Sequence, residues 1–531
     1  MLCTFLLFFG LANFGLVGAD EPRYAQIARE MLAGNDWVTP RLHGEVWLEK
    51  PVLYYWFEII AYRLFGVSDW AARFPAAVLG VILVAAVYFF ARCFRAGSQM
   101  EAAVITASSV GVFAFARGVS TDMPLAVFFT LALLAWWAFV ETERRRWLLG
   151  FYICLALATL AKGPVAIFLA ALVMLPFAFI SRNTALLLRS FWLPGIALFC
   201  LIALPWYVLV QLRNPQFFSE FVLRHNLERF STDLFRHQRP FWYFVPVLLV
   251  GLLPWTALAL AGAARAFRNW RIDRERYAMF LLCWGVLPVA FFSLSQSKLP
   301  GYILPAVAAW TLLAADYLQS RFREEEKKRV ALVIAHAGLS ALLVAAVALA
   351  PRFMLDRHGH LSAGTVLVPV SLAAAAFLFV AGLILWRGIR LARFATLIPL
   401  LICLAYVLRI AAPVVDLRLS ARPVAQNIAT VKLPIAVFKA PRAVEYGLGF
   451  YRNQPIARYE RGEIPDQEHF LIAKEGTLAD LAKLVLHHRC QDQTGERELL
   501  ASIGHFPPQK LEYFRVSAQR PCSGPARQNG R

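Results

Sequence analysis

Charge is what this sequence has least of. Only 17% of its 531 residues are Asp, Glu, Lys or Arg, and acids are the scarcer sign, 34 against 54 basic residues. Apolar residues make up 59%, and mean hydropathy is positive. A chain so balanced has too little polar surface to stay dissolved, which excludes an ordinary soluble enzyme. Internal repeats and low-complexity tracts are absent. No pair among the eight cysteines has the Cys-x-x-Cys spacing of a thiolate metal site. Cys3, Cys93, Cys154, Cys200, Cys283 and Cys403 lie in or beside apolar runs, where cysteine packs as a small hydrophobe. Cys490 and Cys522 alone lie in the C-terminal tail, and an oxidising compartment predicts that they pair. The first apolar run also lacks a basic flank, and Asp20 follows it directly. It therefore reads as a span rather than a cleaved leader, with a start further upstream expected.

What is present in abundance is apolar length. Thirteen runs, at 1–19, 74–93, 102–116, 123–140, 147–161, 164–180, 191–212, 241–263, 277–294, 302–318, 330–350, 365–386 and 394–412, predict membrane-crossing helices for ~30 Å of hydrocarbon, with 102–116 and 147–161 short and open to a tilted or re-entrant path. Loops after the even-numbered runs hold Arg92 and Arg95, Arg144 to Arg146, Arg182 and Arg189, Arg265 to Arg276, Arg321 to Arg329, and Arg387 to Arg393. That recurrent excess marks the cytoplasmic side, placing the N-terminus inside and residues 413–531 outside. The net charge of +20 is then topology plus anionic lipid or phosphate ligands, not nucleic-acid binding.

Three regions lie outside the runs. In the first outer loop, 20–73, Tyr24, Ile27, Ala28, Met31 and Leu32 recur at helical spacing and predict an amphipathic interfacial helix. Pro51 opens a second helix carrying Tyr54, Tyr55, Trp56, Phe57 and Tyr62, expected at the headgroup level. The loop 213–240 is basic and aromatic. In the tail, 434–438 and 469–473 read as buried strands and 478–487 as a helix, predicting a small α/β module.

The outer turns carry the unusual charges. Asp20 and Glu21 follow the first run, where a carboxylate can serve as a general base or simply cap a helix. Glu49-Lys50-Pro51 offers a cation ligand and a phosphate-binding point charge, or an exposed ion pair. Arg117 and Asp122, Lys162, and Lys298 sit in tight turns of the same parity. A single lysine there would be snorkelling; several on the side that should be poor in lysine favour an anionic ligand. In the basic loop, Arg224, His225 and Arg229 offer bidentate phosphate contacts and an imidazole. A phosphate ligand on that side is most economically a lipid phosphate.

These motifs resemble a known group. Asp20-Glu21-Pro22-Arg23-Tyr24-Ala25, Asn35-Asp36-Trp37-Val38-Thr39-Pro40-Arg41, Glu49-Lys50-Pro51 and Ala71-Ala72-Arg73-Phe74-Pro75 look like the first outer loop of the aminoarabinose (lipid A) transferases and protein mannosyltransferases. Asp122-Met123-Pro124, Lys162-Gly163-Pro164, Pro205-Trp206-Tyr207, Pro240-Phe241-Trp242-Tyr243 and Ser297-Lys298-Leu299-Pro300-Gly301-Tyr302 continue the match in order. The resemblance implies an all-α, polytopic GT-C type glycosyltransferase with about 13 spans: a catalytic membrane domain over 1–412 and a small periplasmic α/β domain over 413–531. It implies inverting transfer from a polyprenyl (undecaprenyl) phosphate sugar to lipid A, lipopolysaccharide or another envelope acceptor at the inner membrane. Carried over by motif, Asp20 and Asp122 are the active-site aspartates. Lys50, Lys162 and Arg229 hold the lipid phosphate, with Arg23, Tyr24 and Lys298 as further substrate contacts. Glu49 and His225 are candidate ligands for a divalent metal cation. Arg224-His225-Asn226 departs from the aminoarabinose transferases, which often carry histidine one position to either side.

The runner-up within this class is a protein O-mannosyltransferase using polyprenyl-phosphate mannose. A lipid-linked sugar transporter or flippase is the alternative of another class. It predicts inverted repeats and ionisable residues at span centres, whereas the charges here gather at one interface.

Overall fold

The computed structural model describes residues 2–221, 239–323, 330–355, 363–481, 484 and 500–518. It divides into two compact units. One comprises Met1–Ala12, Ile27–Arg41 and Val46–Ala411; the other comprises Asn13–Gln26, Leu42–Glu45 and Ala412–Arg531. We call them the bundle unit and the sheet unit. The sequence places one cut after 412; the sheet unit also takes in the end of the first run with the start of the first loop, and a second short piece of that loop.

The bundle unit is helical because its long apolar runs leave the backbone no partner but itself. Among the described residues, eight helices are long and apolar enough to cross a membrane, including α4 (Asp69–Phe94), α7 (Asp122–Thr142) and α11 (Leu193–Arg213). Side-chain capping is seen at α4. Ser68 caps α4 by accepting the Ala71 N–H at 3.2 Å, Asp69 stands in the first turn and Arg92 in the last, each where the helix dipole favours it. Gly163, at φ 93°, ends α8 (Arg146–Lys162), a backbone setting that favours glycine.

Five expected spans differ. The run at 147–161 forms α8, 17 residues long and not among the eight. The run at 1–19 forms only α1, Leu2–Phe8, about 10 Å long. Gly10, at φ +75° and packed on Leu408, breaks it. Arg117 then donates to the Leu6 and Leu7 carbonyls at 3.0 and 3.3 Å, and Arg73 to Leu11 at 2.8 Å. Burial, with Arg73 as a second positive charge, pushes Arg117 down to about 10. This arginine of the outer turns therefore serves a helix end. The run at 102–116 breaks at Ser109 into α5 (Gln99–Ser108) and α6 (Val110–Phe115). The run at 241–263 becomes Phe241–Gly251 and Thr256–Asp273, bent by 112° around Pro254. At 164–180 the helix is α9, Val165–Ile180, shorter than a full span.

The first loop opens with α2 (Asp20–Ala33), whose Tyr24, Ile27, Ala28 and Met31 are buried as its period requires. In α3 (Leu53–Phe65) three of the five aromatics expected at the headgroup level turn inward instead. Tyr54, Tyr55 and Tyr62 are buried inside the protein: Tyr54 donates to the Ala72 carbonyl at 3.3 Å and Trp56 to that of Trp37 at 2.8 Å. Aromatic side chains with one polar tip suit such packing as well as they suit a membrane surface.

Among the described residues, the sheet unit holds a five-stranded sheet in the order β4-β3-β5-β7-β6. β3 (Ile435–Phe438) pairs parallel with β4 (Ala457–Arg458) and β5 (His469–Lys474); β7 (Leu511–Val516) pairs antiparallel with β5 and with β6 (Leu500–Phe506). Ile435, Val437, Phe470 and Ile472 face one core with Val444 and Leu448; Ala436, Phe438, Leu471 and Ala473 face a second. Cover on both faces explains why these strands read as continuous apolar runs. Residues 478–481 are helical as expected. Cys490 and Cys522 lie outside the described residues.

Candidate active site

The tightest constellation of predicted residues lies where three helix ends of the bundle unit meet. Asp122 is the first residue of α7 and Lys162 the last of α8, so the acid sits at a positive helix end and the base at a negative one. The two form an ion pair, with their side chains 17% and 14% exposed. Ser120 completes the carboxylate's setting: its hydroxyl donates to Asp122 Oδ2 at 3.3 Å and accepts the Asp122 N–H at 3.0 Å. The Lys162 ammonium also stands 4.7 Å from the Tyr302 ring centroid, a cation–π contact. Gly301 presses against the carboxylate. A Cβ there would lie 2.3 Å from Asp122 Oδ2 and 2.9 Å from Phe115. Lys298, in the same turn, is buried and donates to the Ser295 carbonyl. Burial holds its ammonium below the ordinary lysine value.

The surroundings fix these ends. Tyr207 donates to the Thr159 carbonyl at 2.8 Å, securing the last turn of α8 ahead of Lys162. Trp206 donates to the Val38 carbonyl at 3.0 Å, Asn214 to Thr39 Oγ1 at 3.1 Å, and Arg213 pairs with Asp36 at 3.0 Å. Asp36 also accepts the Val38 and Thr39 N–H groups, a side-chain turn that shapes the loop from within. The 35–41 and 205–207 motifs thus clamp each other.

Asp20, Arg23 and Tyr24 belong to the sheet unit's part of α2. Asp20 is exposed and paired with Arg23 at 2.6 Å; Arg23 reaches the Tyr24 hydroxyl at 3.4 Å. Glu21 reaches back to accept the Val17 N–H at 2.8 Å, the role that a cap would play. Lys50 donates to its neighbour's carbonyl, Glu49 O, at 3.3 Å. Arg229 and His225 lie outside the described residues. Among the described residues no three His, Cys, Asp or Glu side chains come together. Of the two candidate metal ligands, His225 lies outside those residues.

The sequence reading had Asp122 and Lys162 as separate contacts and missed Ser120, Tyr207 and Gly301 as their supports. Gly301 was signalled only by its place in a Pro-Gly-Tyr turn. The arrangement offers an anchored carboxylate beside cations. It can orient a nucleophile and stabilise charge on a leaving phosphate.

Comparison with known proteins accords with this. Residues 6–219 match the family described as Dolichyl-phosphate-mannose-protein mannosyltransferase. The Undecaprenyl phosphate-alpha-4-amino-4-deoxy-L-arabinose arabinosyl transferase of Edwardsiella ictaluri (strain 93-146) is 33% identical over 336 residues, 61% of this chain and 60% of the relative. Its namesake from Pseudomonas aeruginosa (strain UCBPP-PA14) is 36% identical over 332 residues, 61% and 60%. The chain thus spans about 60% of the length of those two curated relatives. The Aeromonas salmonicida (strain A449) protein of the same name is 31% identical over 378 residues, 68% of this chain and 69% of the relative. A crystal structure of ArnT from Cupriavidus metallidurans bound to undecaprenyl phosphate superposes with TM-score 0.79 at 23% identity, covering 97% of this chain and 96% of that one. This likeness bears out the helical GT-C type membrane fold with its small α/β part. On identity and coverage together, the chain belongs to the group that unites the undecaprenyl phosphate-aminoarabinose arabinosyl transferases with the dolichyl-phosphate-mannose-protein mannosyltransferases.

Proposed function

We propose that this protein transfers a sugar of the aminoarabinose type from undecaprenyl phosphate to lipid A or lipopolysaccharide. The transfer inverts the anomeric carbon. It takes place on the periplasmic side of the inner membrane. The observation that carries this reading is the Asp122–Lys162 pair, held at two helix ends within the stretch that matches glycosyltransferases acting on polyprenyl-type phosphate sugars. The positive-inside rule, applied to the basic loops, makes the other face cytoplasmic and this one periplasmic.

In this reading the bond between the anomeric carbon and the phosphate oxygen breaks, and the departing phosphate gains charge. Lys50, Arg229, Lys162 and Lys298 are the cations that stabilise it. A lipid A phosphate is already anionic, so it attacks from the opposite face without surrendering a proton. Asp20 and Asp122 then orient rather than deprotonate. The mannosyltransferase match supports a second reading with a hydroxyl acceptor, in which Asp20 takes the proton.

Mass spectrometry of lipid A and envelope proteins from cells expressing the chain separates the two. An aminopentose added to lipid A supports the first reading. A hexose on envelope protein replaces it with the second, and unchanged lipid A and proteins overturn both. Asp20→Asn is expected to abolish transfer while donor-lipid binding persists; Lys50→Ala and Arg229→Ala are expected to weaken binding as well as turnover.

A further inference from the structure

Within the sheet unit, the segment from Asn13 to Gly18, just before Asp20, is held by side chains and backbone from the far end of the chain. The Leu16 N–H donates to the Tyr451 hydroxyl at 2.7 Å, across 435 positions of sequence. The Gly15 N–H donates to Asp416 Oδ1 at 2.8 Å. The other oxygen of Asp416 is gripped by Arg422, at 3.1 Å from Nε and 2.7 Å from Nη2, and Arg422 extends to the Asn13 carbonyl at 3.4 Å. Val17 bridges Ser420 in antiparallel fashion, and the Gly18 N–H points to the Leu419 carbonyl at 3.4 Å. Gly15 makes the approach possible. A Cβ there would meet Ser420 Oγ at 2.3 Å, Tyr451 Oη at 2.5 Å and Arg422 Cβ at 2.8 Å.

This is more anchoring than a connecting segment needs. A loop at the surface can leave its amides to water, at no cost in structure. Here consecutive amides, Gly15 and Leu16, are each taken by a buried or half-buried side chain, and the next residue is bridged. Chain direction and position are therefore set three residues before Asp20 begins α2. Arg23, which holds the Asp20 carboxylate, is itself fixed from the same side: its guanidinium lies 5.8 Å from the Tyr446 ring centroid. Tyr446 in turn stacks with His43, at the tip of the β1-β2 hairpin (Arg41–Leu42 and Glu45–Val46).

We propose that Tyr451 and Asp416 are positioning residues for the Asp20 carboxylate, acting through the Leu16 and Gly15 amides. The C-terminal segment is then a working part of the transferase and not an appendage. The inference rests on the role given to Asp20 above.

The test uses the full-length protein in detergent. Tyr451→Phe removes one hydroxyl and keeps the ring, so the unit should fold and melt as before. Turnover at saturating donor lipid is expected to fall roughly three- to tenfold, the worth of one hydrogen bond. KM for the donor should stay unchanged. Hydrogen exchange at residues 13–18 should accelerate in the same variant, a readout independent of activity. Asp416→Asn can still accept from Gly15 and is expected to retain more turnover than Asp416→Ala. Arg515→Gln, which opens an exposed pair with Glu468 elsewhere in the unit, should change neither turnover nor exchange. Faster exchange with normal turnover in Tyr451→Phe overturns the proposal, as does normal exchange. Should Asp20→Asn transfer sugar normally, the reading of Asp20 itself fails, which is a different result from a silent Tyr451.

Discussion

The helix Leu304–Arg323 has a charged cluster at each end, and the two are built differently. At its start, Gly301 and Tyr302 sit against Asp122 and Lys162, with Lys298 in the same turn. At its far end, roughly 20 Å along the axis, Asp316 and Ser320 meet Arg95, Arg265, Asn269, Glu275 and Tyr277 around a cavity of about 480 Å³. There Arg95 serves two carboxylates, Glu275 directly and Asp316 at 3.6 Å, and its guanidinium lies 3.8 Å from the Tyr277 ring centroid. Asn269 takes the second oxygen of Glu275 at 3.0 Å, and Arg265 donates to Ser320. In that cluster two guanidiniums balance two carboxylates and neutral donors fill the remainder. At the other end Asp122 is paired with Lys162 alone, and Lys298, in the neighbouring turn, is met by the neutral Ser295 carbonyl, so positive charge exceeds negative there. The difference teaches how to tell a lock from a site when both are ion pairs: one is balanced and the other is left in surplus.

The comparison breaks if the wrong end proves catalytic. Lys162→Ala is expected to lower transfer on the order of a hundredfold, as loss of a preorganised cation beside developing charge does. Asp122→Asn should do comparable damage, with little change in thermal melting for either variant. Full transfer by both would make the pair a structural clamp like its counterpart. Gly301→Ala sharpens the point without altering any charge. Its methyl would occupy space 2.3 Å from Asp122 Oδ2, so the carboxylate must move. A displacement of that kind is expected to cost roughly tenfold or more in turnover. Unchanged turnover would show that the carboxylate's position does not matter.

How far this was readable in advance depended on the range of the signal. Spans such as Asp69–Phe94 and Asp122–Thr142 are continuous apolar runs bounded by charge, so composition alone located them. The break around Pro254 was averaged away, because a hydropathy window registers apolarity and not a bend. The run at 1–19 was apolar enough to span, yet Gly10 and the guanidiniums of Arg73 and Arg117 end its helix early. Those partners are distant in sequence. At the candidate site, each charged residue was legible singly, because lysine on the lysine-poor side is conspicuous. Pairing Asp122 with Lys162 needed the knowledge that α7 and α8, joined by a short turn, run antiparallel. The burial of Tyr54, Tyr55 and Tyr62 was not legible, since the same side chains suit a membrane surface. Nor was the recruitment of residues 13–26 to the sheet unit, which depends on Tyr451 and Asp416.

At the balanced end the expected losses are in stability rather than chemistry. Arg95→Ala leaves Glu275 and Asp316 facing each other without their shared cation. Since Arg95 and Glu275 are each 30% exposed, the cost is expected at about 1–3 kcal/mol, below that of a fully buried pair. Melting in detergent should fall while turnover per folded molecule holds. A loss of turnover without a loss of stability would move that cluster into the reaction.

The smallest effect is in pH. Burial alone would raise Glu275, but hydrogen bonds from Asn269 and Arg95 and the charges of Arg95 and Arg265 hold its carboxyl below the ordinary value. A carboxyl depressed in the folded state stabilises fully above its unfolded value, near 4.3, and the stabilisation disappears as pH falls through the lower folded value. Wild-type melting is therefore expected to decline across that acidic window, partly through this residue. In Arg95→Ala the hydrogen bond from Asn269 remains, but the hydrogen bond and the charge of Arg95 are both gone, so the acid-side decline should be shallower even though the protein is less stable at neutral pH. Asp122→Asn, at the other end, should leave that difference between wild type and Arg95→Ala intact. An equal acid-side slope in wild type and Arg95→Ala would mean that Arg95 does not hold Glu275 charged, and the balanced cluster would lose the feature that distinguishes it from the site.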